Sequence, residues 1–370
     1  MDKELYVLTD TEDLISPALI YYEDIIIKNT RRIIETAGGA DRLWPHIKTH
    51  KTAELVRMQI GLGISRFKCA TVAEAELCAR AGAGELLLAY PLVGPNIRRY
   101  TRLAAAYPQT VFYALGDDFD QLKILSGEAA AQGLRMNILI DADLGMRRTG
   151  VPPEEIEGLY EKCAALPGLV MKGLHGYDGH FHHRDLAERA AAVAEADRQI
   201  LAVQEALVRR GFDCGILIMG GSPTFPCRAG QAAAVKRYLS PGTIFIGDWG
   251  YYSNFPDLAY TPGAAVFSRV VSHPAPGCFT LDLGYKAVAA DQPGKRGIIA
   301  GLEDAEPLGH SEEHWVFRAG KELPAIGEAC YVIPTHICPT TALYGEIQIA
   351  RNGGIAETWQ VTARNRRLTY

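Results

Sequence analysis

The chain has 370 residues, 48% of them hydrophobic, and a formal net charge of −5. That length supports a large core and two domains, and the mildly acidic balance points away from a nucleic-acid partner. No run approaches the roughly 18 apolar residues of a membrane helix, and the opening "MDKELYVLTDTEDLISPALIYYED" has no signal-type apolar core, so no membrane partner is expected.

In chain order, short apolar runs appear at 43–49 (LWPHIKT), 65–70, 86–90, 110–115, 135–141, 168–176, 215–220 and 243–247 (TIFIG). Between most of them lie Ala-, Glu- and Arg-rich stretches with helical spacing. In 185–210, for example, Leu186, Val193, Ile200 and Leu207 recur every seven residues. Eight strands alternating with helices predict an α/β fold, a (β/α)8 TIM barrel over 18–254. After about residue 255 the texture changes to alternating β-branched runs punctuated by Pro-Gly, Asn-Gly and Gly-Gly. This predicts a mostly antiparallel β domain over 255–370, joined by residues 1–17. The eight cysteines are scattered, with no C-x-x-C pair, and read as reduced thiols of a cytoplasmic protein.

Polar residues gather where the barrel strands end. "PHIKTHKT" places His46, Lys48 and His50 two apart; on a strand they share one face, which looks onto either water or a site that wants amines and imidazoles. Arg148 follows the fifth strand, and "LHGYDGHFHH", with Tyr177 and His180, follows the sixth. "GGSPT", containing Gly221, Ser222 and Thr224, follows the seventh, where barrels commonly bind phosphate. A phosphate cradle opposite a strand-end lysine suggests pyridoxal phosphate held by Lys48. In the β domain, "IPTHICPTT" sets His336 and Cys338 two apart, on one face of a strand. Imidazole plus thiolate suits an open metal site with two protein ligands; the plain alternative is a satisfied histidine beside a core cysteine.

Taken together, "PHIKTHKT", "KCATVAEAE", "GMRRTG", "GGSPT", "LDLGYKAVAAD", "SEEHW" and "IPTHICPT" resemble, in the same order, the fold-type III pyridoxal-phosphate family of D-threonine aldolase and D-serine dehydratase, whose barrel is alanine racemase-like. The resemblance implies Lys48 as the Schiff-base lysine. His46, Arg148, Tyr177, Gly221, Ser222 and Thr224 would then bind the cofactor, and His336 with Cys338 a divalent metal (Zn, Mn, Mg or Co). It also implies a homodimer whose sites form between the barrel of one subunit and the β domain of the other. "GYDGHFHH" is closer to the aldolase branch, with His180 as the base for the substrate hydroxyl, whereas the cysteine ligand is at home among the dehydratases. The expected activity is retro-aldol cleavage of a small D-β-hydroxy amino acid to glycine and an aldehyde. A D-serine or D-3-hydroxyaspartate dehydratase is the first alternative and an amino-acid racemase the second. The racemase needs a second base, for which no tyrosine of the β domain is identified.

Overall fold

The computed structural model describes residues 2–230 and 236–369. By their contacts these fall into two compact units. One comprises Ile33–Lys48, Ala53–Gly242 and Asn365–Tyr370; the other comprises Met1–Arg32, Thr49–Thr52 and Thr243–Arg364. Sequence texture and contacts part company mainly at 18–32 and 243–254.

Strands are numbered in chain order. β1 (Ala18–Tyr22) belongs to the second unit. The first unit holds β2 (Arg66–Cys69), β3 (Glu85–Leu88), β4 (Val111–Gly116), β5 (Met136–Asp143), β6 (Leu169–Tyr177), β7 (Ile216–Met219) and β8 (Lys236–Leu239). They pair in chain order, each parallel to the next. Parallel strands are covered on both faces, and the continuous burial of Ile138, Leu139 and Ile140 reflects this.

The segment 43–46 bridges the two ends of this sheet. Leu43 bridges to Leu239 and His46 to Lys68, both in parallel sense. Trp44 N–H donates to Leu239 O at 2.8 Å, and Lys68 N–H donates to Pro45 O at 2.8 Å. The result is a TIM-like barrel in which the expected first strand, 43–49, is reduced to two bridges. Pro45 has no N–H to give to a ladder, and Ile47–Thr49 turns into a 3-10 helix. The expected last strand also differs. TIFIG at 243–247 is not a strand, Thr243–Phe245 being a 3-10 helix, and β8 takes that place in the barrel. Inside the barrel, the Trp44 ring meets Tyr113 and Tyr238 edge-on, each at 5.3 Å, so the lumen is packed rather than open.

The helices start where the sequence supplies caps. Thr71, Asp118 and Asp185 accept from the third N–H of the helices Val72–Ala81, Phe119–Ala131 and Leu186–Arg209. In the last of these, Val193, Ile200 and Leu207 are buried as the seven-residue spacing predicts, while Leu186 in the first turn is 45% exposed.

The second unit is a mostly antiparallel sheet. Its strands after β1 are β9 (Ala264–Ser272), β10 (Cys278–Leu281), β11 (Gly297–Ile299), β12 (Glu306–His310), β13 (Trp315–Arg318), β14 (Ala329–Pro334), β15 (Glu346–Arg351) and β16 (Gly354–Gln360). The order is β12-β13-β10-β9-β1-β15-β16, with β14 joining β9 to β11, and only β1–β15 is parallel. The β15–β16 hairpin turns at Asn352 and Gly353, whose φ values of 50° and 80° fit a two-residue primed turn. Tyr6 and Leu8 pack into this unit's core with Ile20, Phe267 and Tyr331. Among the described residues no helix is long and apolar enough to cross a membrane.

Candidate active site

In the barrel unit, cationic side chains converge on one aromatic ring. Lys48 Nζ lies 5.9 Å from the Tyr177 ring centroid, Lys68 Nζ 5.8 Å and the Arg148 guanidinium carbon 4.8 Å. Lys48 is half-buried on the 3-10 turn Ile47–Thr49. Because this is a turn, His46, Lys48 and His50 do not line one strand face, contrary to the expectation from spacing. His46 Nδ1 instead accepts from Lys48 N–H at 3.2 Å. His50 belongs to the other unit. Its Nδ1 accepts from Thr52 N–H at 3.2 Å, and burial pushes its pKa down to about 3, so it is a neutral, structural histidine.

Sequence reasoning missed the groups behind Tyr177. Lys68, on β2, is 2% exposed. Its Nζ donates to His175 Nε2 at 3.4 Å, and His175 Nδ1–H donates to Asp141 Oδ1 at 2.7 Å. Thr149 Oγ1 donates to the other Asp141 oxygen at 2.8 Å. Burial, and then the charge of Lys48, push the Lys68 pKa down to about 7 against the pull of Asp141 and Asp178. Burial and the Lys68 charge lower His175 as well, against Asp141, which leaves it neutral. Asp141, Arg148, Thr149, His175 and Tyr177 line a polar cavity of about 20 Å³, room for one water. The signal for these groups was present: Lys68 and His175 stand inside parallel barrel strands, where a buried charge needs a reason.

The loop after β7 packs on the same ring; a Cβ on Gly221 would lie 3.4 Å from Tyr177 Cε2. Ser222 Oγ accepts from Gly242 N–H at 3.3 Å, which leaves its own proton to donate. Thr224 is engaged internally: its hydroxyl donates to Asp178 Oδ1 at 2.8 Å and accepts from Gly221 N–H at 2.9 Å. It therefore shapes the loop, and Ser222 presents the donor. His180 lies on the loop after β6 and packs against Gly145; a Cβ there would come within 3.1 Å of His180 Nε2. The Nδ1 of His180 is buried without a hydrogen-bond partner. His182 and His183 are exposed.

The second unit carries His336 and Cys338. They are not neighbours on a strand, because β14 ends at Pro334 and a helix, Ile337–Leu343, begins between them. Buried Asp248 holds that helix start by accepting from Ile337 N–H at 3.1 Å, and burial pushes its pKa up to about 6. His336 Nδ1 donates to Asp291 Oδ2 at 2.6 Å. Burial opposes the charged imidazole, but bonding to Cys338 and Asp291 outweighs it and pushes the pKa up to about 9. Cys338 Sγ lies 3.1 Å from Thr49 Oγ1 and 3.4 Å from Thr243 Oγ1. Among the described residues no three His, Cys, Asp or Glu side chains converge on a point suited to a metal ion.

The chain matches known proteins along almost its whole length. It is 29% identical over 329 residues to a D-threonine aldolase from Arthrobacter sp., covering 87% of this chain and 85% of the relative. It is 26% identical over 367 residues to a 3-hydroxy-D-aspartate aldolase from Paracoccus denitrificans (strain Pd 1222), covering 96% and 94%. The crystal structure of D-threonine aldolase from Filomicrobium marinum superposes with a TM-score of 0.88 at 28% identity, covering 96% of this chain and 97% of that one. A family model described as a putative serine dehydratase domain matches residues 263–350. The model of the alanine racemase N-terminal domain matches residues 23–248, a span that takes in the bridging segment, the Tyr177 cluster and the loop after β7, and the chain belongs to that family.

Proposed function

We propose that the chain is a pyridoxal-phosphate- and metal-dependent lyase that cleaves D-configured β-hydroxy amino acids into glycine and an aldehyde. The observation that carries this reading is the convergence of Lys48, Lys68 and Arg148 on Tyr177 beside the Ser222 loop. The aldolase relatives supply the substrate class.

The residues fit the cofactor. An accessible amine, a positive surround and a loop with a free hydroxyl donor are what an anionic aldehyde requires. Lys48 would hold its carbonyl carbon, Arg148, Tyr177 and His46 would flank it, and Gly221 and Ser222 would take its phosphate on the loop that Thr224 shapes. The donor set also fits a divalent cation such as zinc, manganese, magnesium or cobalt. With Nδ1 of His336 committed to Asp291, Nε2 is oriented for a metal, the usual arrangement for a ligating histidine, and Cys338 adds a thiolate. Bound pyridoxal phosphate supplies an electron sink for the Cα–Cβ bond pair, and the cation supplies Lewis acidity.

His180 takes the proton of the substrate's β-hydroxyl as the Cα–Cβ bond breaks. Its buried, unpartnered Nδ1 supports that role, since such a nitrogen is costly unless something uses it. A dehydratase is the second reading, favoured by the match of 263–350 to a putative serine dehydratase domain and by the cysteine at 338. There Lys48 removes the Cα proton and the β-hydroxyl leaves. In either reading the working form is a cytoplasmic homodimer. Incubation with D-threonine, cofactor and a divalent cation tests the choice. Glycine with acetaldehyde supports the aldolase; 2-oxobutyrate with ammonia replaces it by the dehydratase.

A further inference from the structure

Behind the Ser222 loop lies a charged network that the cleavage chemistry does not use. Asp178, directly after β6, is fully buried, and Arg228 and Asp197 are nearly so. Asp178 Oδ2 accepts from Arg228 Nη1, and Asp178 Oδ1 accepts from the Thr224 hydroxyl at 2.8 Å. Arg228 donates from Nη2 and Nε to Asp197 Oδ1 at 2.6 and 2.8 Å, anchoring the network to the helix Leu186–Arg209. At the other end, Thr224 accepts the N–H of Gly221 at 2.9 Å. The loop must also leave room for it: Gly220 has φ +82°, and a Cβ there would lie 3.3 Å from Arg228 Nη1.

Burying three charged groups adds little stability over apolar packing of the same volume. What such a network does well is fix one geometry. Asp178 sits one residue after Tyr177 and two before His180, so one carboxylate ties the strand-six loop to the loop after β7. We propose that Asp178 is a positioning residue that couples anion binding on the Gly221–Ser222 loop to the placement of Tyr177 and His180. This deepens the reading of that loop as the phosphate site and rests on it. Phosphate occupancy and turnover are then linked through Thr224 and Asp178, and breaking the link lowers both together.

The test uses the full chain and compares wild type with Thr224→Val, Thr224→Ser and Asp178→Asn. Thr224→Val removes the donor to Asp178 and the acceptor for Gly221, while serine restores both. For each protein, the Kd for pyridoxal 5′-phosphate and for pyridoxal is measured, with kcat and KM for glycine release from D-threonine. Thr224→Val is expected to lose about tenfold of the preference for the phosphate ester and about tenfold in kcat, with Thr224→Ser within about threefold of wild type. Asp178→Asn is expected to move both in the same direction; should it fail to fold, the valine and serine pair decides. A Thr224→Val protein that melts lower but keeps its preference and kcat overturns the coupling alone. Wild-type protein that binds pyridoxal as tightly as its phosphate overturns the phosphate-loop reading, and the coupling with it.

Discussion

Lys68 shows how a single buried residue shapes the site. Its pKa of about 7 in the folded chain lies below the ordinary lysine value of 10.5, so between those limits the unfolded chain binds the extra proton. Stability therefore rises with pH across that window, and the cost of burying the ammonium is fully present below about pH 7. Lys68→Met removes this dependence. The stability difference between variant and wild type should be more favourable to the variant at pH 6 than at pH 9 by roughly 2 kcal/mol, read from urea unfolding at both values. An identical difference at the two pH values would show that Lys68 is not a desolvated ammonium. His180 belongs to the same scale. His180→Ala should bind cofactor as wild type does and lose on the order of 10²-fold in rate, since a positioned base contributes about that much. Near wild-type cleavage of D-threonine by this variant removes His180 from the mechanism. Lys48→Ala should abolish the visible absorbance of a lysine-bound cofactor. In wild type, borohydride reduction and peptide mapping should put the label on Lys48; label on Lys51 or Lys68 would reassign the nucleophile.

At the scale of elements, local chemistry sets where helices begin. Thr71 accepts from Glu74 N–H at 3.1 Å, and the Glu74 carboxylate reaches back to Ala70 N–H at 2.7 Å. Thr71→Ala should cost about 1 kcal/mol in chemical denaturation, and Thr71→Ser much less. The barrel strands were legible as short apolar runs because parallel strands are buried on both faces. That same rule misread two places. TIFIG is apolar and buried, yet Thr243–Phe245 coils, while β8 opens with Lys-Arg and carries no apolar run to announce it. LWPHIKT has the composition of a strand, but Pro45 interrupts the ladder. Lys48, Arg148, Tyr177 and the Gly221–Ser222 loop were legible because glycines and charges stand out at strand ends. Lys68, His175, Asp141 and Asp178 stand out as charges within or beside strands, but their partners do not: Asp141 meets His175 through the β5–β6 register, and side-chain bonds alone join Lys68 to His175 and Asp178 to Thr224. The residue types of the H-x-C pair suggest metal ligands, but the expected shared strand face is absent because a helix starts between the two residues.

At the scale of the whole molecule, the proposed cofactor site lies in the barrel unit and the proposed cation site in the second unit. Both units have cores of their own that need no metal: Trp44, Tyr113 and Tyr238 fill the barrel, and Tyr6, Phe267 and Tyr331 sit in the core of the sheet. A cation with two protein ligands is not a folding nucleus, so chelation should stop turnover and leave the melting temperature nearly unchanged. A melting temperature that collapses with the chelator would make the metal structural instead. The proposed lyase activity is tested most directly by glycine release from one holoenzyme preparation given D-threonine or L-threonine, with and without chelator. Glycine and acetaldehyde are expected in equal amounts from D-threonine alone, abolished by the chelator and restored by added divalent cation. Equal rates on the L-isomer, or glycine release indifferent to chelation, would contradict it.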